Sequence, residues 1–172
     1  MTAKELIKSD ISRGGKLPLY QKWLRRLQVV TQLRGGIMIQ KFYHLFYKIT
    51  QAIYCCDISA SAHIGKGLYI GHPYCITINP QASIGDNCNI HKGLTIGQEN
   101  RGSRKGAPTI GNCVWIGVNV TIVGKITIGD DVLIAPNTYV NRDVPSHSVV
   151  FGNPCIIKQV ENATGGYIRN KV

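Results

Sequence analysis

From Ile58 onward the chain places an aliphatic residue at every sixth position. The beats are Ile58, Ile64 and Ile70, then Ile78 through Ile96, then Ile110 through Ile134 and Val140. The step is six except between Ile70 and Ile78 and between Ile96 and Ile110. A second series follows each beat by four: Ala62, Leu68, Tyr74, Ala82, Cys88 and Leu94, resuming at Val114 and running to Val144. Glycine follows the beat at 65, 71, 85, 97, 111, 117 and 129, which suits a tight corner and close stacking. Simple alternation loses phase at each turn, whereas a hexad that holds phase predicts short identical strands stacked along one axis. Branched Ile and Val suit such strands. The two irregular steps predict loops thrown out from a stiff scaffold, and functional residues favour such loops.

Residues 1–56 follow another pattern. Tyr20, Trp23, Leu24, Leu27 and Val30 recur at helical spacing, and after Gly35-Gly36 a second stripe runs Phe42, Leu45, Phe46, Ile49, Ile53. Two or three amphipathic helices are expected. Their apolar faces would pack on each other, on the solenoid or on another subunit. A second reading is a membrane-surface helix, since Lys and Arg flank the aromatic residues. The expected division is thus a helical segment 1–56, a β-solenoid 57–160 and a loose tail 161–172.

The chain has 172 residues, is 44% hydrophobic and carries a net charge of +11. A packed core is within reach, and global disorder is not expected. The charge is concentrated early: residues 1–56 hold ten Lys/Arg against Glu5 and Asp10. An acidic partner is implied: nucleic acid, a membrane face or a phosphorylated small molecule. Nucleic acid has only charge in its favour, with no recognised motif. The six cysteines form no CxxC pair, which gives a metal no support and reads as reduced thiols. No apolar leader and no spanning run is evident, so a cytoplasmic protein is expected, with the inner membrane face as the alternative place.

The segments "IGKGLYIGHP", "INPQASIGDNCNIHKGLTIG" and "PTIGNCVWIGVNVTIVGKITIGDDVLIAPNTYVNRDVP" resemble the hexapeptide-repeat acyltransferases. Within them the resemblance runs to the serine acetyltransferase branch, and most to bacterial polysaccharide O-acetyltransferases of that branch. It covers about residues 57–158. It implies an all-β left-handed parallel β-helix with three hexads per coil, a little over four coils here, behind an α-helical N-terminal segment. It also implies acetyl-CoA as co-substrate, no metal, and homotrimers, with pairing of trimers through the N-terminal helices left open.

Acetyl transfer to a hydroxyl needs a base with a pKa near working pH, which favours His. The resemblance places the catalytic histidine on His72, in the first irregular step, and the carboxylate that orients it on Asp57. His91, one coil further on, and Arg101, Arg104 and Lys105, in the second loop, are candidates for the acceptor site. The donor's pantetheine arm is expected along Thr95, Gly97, Gly117 and Ala135, with Asn153, Pro154 and Lys158 of "GNPCIIK" as further neighbours. Two departures from the serine enzymes stand out: Gly71 where an acid precedes the catalytic histidine, and Gly106-Ala107 where an Arg-His pair stands. Missing charged partners discriminate against a charged acceptor, so a saccharide hydroxyl is expected as acceptor, with serine as the alternative. A γ-type carbonic anhydrase needs three zinc histidines, and His63, His72 and His91 lack the spacing. A non-catalytic trimeric scaffold or membrane-surface module is the alternative of another class.

Overall fold

The computed structural model describes residues 1–33 and 35–172. Three helices, α1 (Ala3–Gly14), α2 (Leu19–Gln32) and α3 (Ile37–Tyr54), precede a parallel β-helix. Its three faces are stacks of short strands. Face A is β1 (Asp57–Ile58), β4 (Thr77–Ile78), β7 (Thr95–Gly97), β10 (Thr121–Val123) and β13 (Tyr139–Val140). Face B is β2 (His63–Ile64), β5 (Ser83–Ile84), β8 (Thr109–Ile110) and β11 (Thr127–Ile128). Face C is β3 (Tyr69–Gly71), β6 (Asn89–His91), β9 (Trp115–Ile116), β12 (Val132–Ile134), β14 (Ser148–Phe151) and the antiparallel β15 (Ile156–Gln159). Each hexad supplies one strand and one corner.

The beats point inward. Ile58, Ile84, Ile90, Ile96, Ile116, Ile122 and Ile134 are fully buried, and the second series fills the space between them. One expected member fails: Tyr74 is 52% exposed, and Ile76 is buried in its stead. The inward residue is set by its distance to the following beat, two positions on, and the extra residues of the first irregular step lie before it. Corners require close approach. A Cβ on Gly85 would lie 2.6 Å from the Gly111 carbonyl oxygen of the next coil.

The helices close the exposed end of the solenoid. The first strands β1, β2 and β3 each lie at the edge of their sheets, where unpaired backbone groups are a liability. Arg25 donates to the carbonyls of Ile64 and Gly65 (2.9 and 2.7 Å), Gln28 to Ala62 and Gln21 to Leu68. The Leu68 amide donates to Asp10, the Ile58 amide to Tyr20, and the Tyr47 hydroxyl to the Ile58 carbonyl. Asp10 and Arg25 form a fully buried ion pair at 2.7 Å. Burial raises the Tyr20 and Tyr47 hydroxyls well above their ordinary pKa, so both remain protonated donors.

Tyr20, Leu24 and Leu27 are buried as the first stripe predicts. The second stripe departs from tight packing: Met38, Phe42, Leu45, Ile49 and Ile53 are at least half exposed, while Tyr47 and Thr50 face inward. Trp23 of α2 stacks on Phe46 at 4.8 Å, and the Arg26 guanidinium lies over the Trp23 ring at 4.9 Å. Residues 161–172, expected to be loose, are docked on face C. Asp131 accepts from the Ala163 and Thr164 amides and the Thr164 hydroxyl, and Asn87 holds Val172 through both its amide and its carbonyl. No described helix is long and apolar enough to cross a membrane.

Candidate active site

The first irregular step is a corner that turns twice. The other corners from face C to face A each use one left-handed residue, Gly93, Asn119 or Asn137. The first uses two, His72 (φ 54°) and Cys75 (φ 56°). This bulge is anchored on all sides. The Tyr74 amide donates to the His72 carbonyl (2.7 Å), the Cys75 amide to Tyr54, and the Gly93 amide to Tyr74. Cys56 reaches the Pro73 carbonyl through its thiol. His72 itself is exposed at the edge. A left-handed φ is ordinary for these corners; the extra residues are what set His72 apart.

Asp57 opens β1 and pairs in register with Thr77, the first residue of face A after the bulge. It therefore lies at the same edge of the prism as His72. Its carboxylate accepts a 2.6 Å hydrogen bond from the Gln51 side chain of α3. Among the described residues no hydrogen bond links Asp57 directly to His72. Asp57 lines a groove of about 840 Å³ between α3 and face A, together with Lys41, His44, Lys48 and Gln51. Sequence reasoning missed these four. Their signal was the phase of α3, in which they flank the apolar stripe.

His91 lies on face C beneath Gly71, with Nδ1 2.7 Å from the Ile116 carbonyl. That contact assigns the proton to Nδ1 and leaves Nε2 as an acceptor. Burial lowers its pKa, the Ile116 contact opposes this, and the nearby His72 lowers it further, so His91 is neutral at pH 7. Gly117 and Ala135 follow β9 and β12 on the same edge as His72, and Gly117 sits under the Ala135-Pro136 backbone. Asn153 and Pro154 follow β14 at that edge, joined by a cis bond, and Lys158 lies over Phe151. Thr95 begins β7 on the near side of face A, whereas Gly97 ends it and lines the groove.

The second loop, 98–108, leaves from the corner between faces A and B. Arg104 is engaged by Glu99 at 3.1 Å, and Gly106 pairs its backbone with Glu99. Arg101 and Lys105 are exposed. Within one chain, these three cations and His72 occupy different edges of the prism.

The chain matches the bacterial transferase hexapeptide family (six repeats) over residues 107–142. A serine acetyltransferase of Helicobacter pylori is 34% identical over 125 residues, 71% of this chain and 73% of that protein. Serine acetyltransferase 4 of Arabidopsis thaliana is 39% identical over 102 residues, 59% of this chain; the match spans only 29% of that longer protein. Among solved structures, the Neisseria gonorrhoeae serine acetyltransferase in complex with serine has a TM-score of 0.72 at 26% identity, covering 91% of this chain and 67% of that one.

These relatives overturn the expected saccharide acceptor in favour of the serine alternative, and they name serine acetyltransferases rather than the polysaccharide branch. The inference from missing charges fails for a physical reason. Gly71 gives room to the His91 ring, Gly106 takes a φ of 134° in its pairing with Glu99, and Ala107 packs on the core. Local packing offers a reason for each of the three residues that does not involve the acceptor. The chain belongs to the hexapeptide-repeat acyltransferase family.

Proposed function

We propose that the protein transfers the acetyl group of acetyl-CoA to the hydroxyl of serine. His72 takes the hydroxyl proton as the oxygen attacks the thioester carbonyl, and the thiolate of CoA leaves. The observation that carries this reading is the doubled corner, which lifts one histidine out of the repeat and holds its backbone rigidly. Asp57, held by Gln51, supplies negative charge at the same edge and favours the imidazolium formed in the reaction. Gly117, Ala135, Asn153 and Pro154 stack along that edge as a small-residue track for the pantetheine arm. Lys41 and Lys48 in the groove beside Asp57 are suited to the carboxylate of serine. A homotrimer completes the site, because only a neighbouring copy would bring the 98–108 loop to the His72 edge. The test is thiol release from acetyl-CoA with and without L-serine; serine-independent release alone would contradict the acceptor.

The exposed face of α3 supports a second part of the proposal, contact with an anionic bilayer surface. α3 carries Lys41 and Lys48 and no acid. Like charges oppose pairing of this face with its own copy, whereas an anionic surface complements them.

A further inference from the structure

A second cavity, of about 330 Å³, lies on face C between α1 and the C-terminal segment. Its walls include Arg13 at the end of α1, Asn89 and His91 of β6, Trp115 of β9, and Tyr167 and Arg169 of the docked tail. No Asp or Glu lines it. Arg13 is only 6% exposed. Its Nη2 donates to the Asn89 side chain at 2.5 Å, while Nε and Nη1 have no partner among the described residues. The nearest helix carboxylate, Asp10, is already committed to Arg25, Gln21 and the Leu68 amide. A guanidinium stays charged in proteins, and a buried charge without a counter-charge is costly. Two guanidinium groups facing one small acid-free cavity, one of them buried with open donors, fit an anionic ligand.

We propose that this cavity is a binding site for a small oxyanion, a carboxylate or a phosphate, held by Arg13 and Arg169. It is separate from the acetyl-transfer site but touches it: His91 lines the cavity and packs under Gly71, the residue before His72. Occupancy would join α1, face C and the tail, and would hold His91 in place beneath the base. Trp115 and Tyr167, in edge-to-face contact at 5.1 Å, form the aromatic wall of the cavity.

The test is thermal unfolding of the full chain with sodium phosphate or sodium acetate, against sodium chloride at equal ionic strength. The site predicts a saturable rise of the melting temperature with one of the two oxyanions, which also identifies the head group. Arg169→Gln, at an exposed position, should weaken the apparent affinity about tenfold. Arg13→Met should abolish the response without unfolding the protein, since it removes a buried charge and keeps the bulk. A response no larger than with chloride overturns the proposal. So does a saturable response that survives unchanged in the Arg169→Gln variant. If Arg13→Met fails to fold, the Arg169→Gln result alone decides.

Discussion

The imidazole of His91 fills the space that a side chain at Gly71 would need. A Cβ at 71 would lie 2.5 Å from His91 Cδ2 and 2.8 Å from Nε2. The two positions are therefore one packing unit, and the residue before His72 is fixed by the coil below it. Gly71→Asp should destabilise the protein by about 1–3 kcal/mol through overpacking. The double variant Gly71→Asp/His91→Ala should recover most of that loss. Urea unfolding of the four proteins measures the coupling, and strict additivity would contradict the packing relation.

The helical cap rests on one buried ion pair. Arg25→Ala leaves Asp10 charged and unpaired and frees the Ile64 and Gly65 carbonyls. Breaking such a pair costs about 3–5 kcal/mol. Equilibrium unfolding should show this loss, and hydrogen exchange should rise first in the first coil. A change under about 1 kcal/mol would show that the cap is not held by this pair.

Docking of the tail is pH-dependent. Burial works against ionisation of Asp131, but hydrogen bonds from Thr164, His147 and Ala163 outweigh it and hold its pKa at about 2. The folded value lies below the ordinary one near 4. The contribution is therefore complete above about pH 4 and is lost as pH falls toward 2. At neutral pH Asp131→Asn should raise amide exchange across residues 163–168 while the coils stay protected. Unchanged exchange would mean that the Asn87 contacts suffice.

Ile49 is half exposed, outside the groove, and central to the apolar face of α3. Wild-type protein should sediment with phosphatidylglycerol vesicles and not with pure phosphatidylcholine. Ile49→Glu should lower that binding about tenfold or more. If instead the variant lowers the mass of the assembly in lipid-free solution, a second copy covers this face.

Much of the architecture was legible because twelve Ile and one Val keep one period, and no other fold needs that phase. The place of Tyr74 was misread because the sequence does not say where within a corner the extra residues fall. The cap was illegible for another reason. Gln21, Arg25 and Gln28 recur at helical spacing on α2 beside the apolar stripe, and they are buried against carbonyls. Polar residues reveal such a role only once the backbone groups opposite them are known. His72 stood out in the irregular step and through the family resemblance, and Asp57 through the resemblance alone, whereas Gln51 and Lys48 became visible only when α3 was placed beside β1. The acceptor was misjudged because three absent charges were read as specificity when packing explains them.

The central claim is that the doubled corner presents His72 as the base of acetyl transfer. The most direct measurement is the turnover of acetyl-CoA with L-serine by wild-type and His72→Ala protein, with CoA affinity measured in parallel. Loss of a general base predicts a fall in kcat of about 10²–10⁴-fold with CoA binding retained. Serine-dependent turnover at the wild-type rate in the variant would contradict the claim.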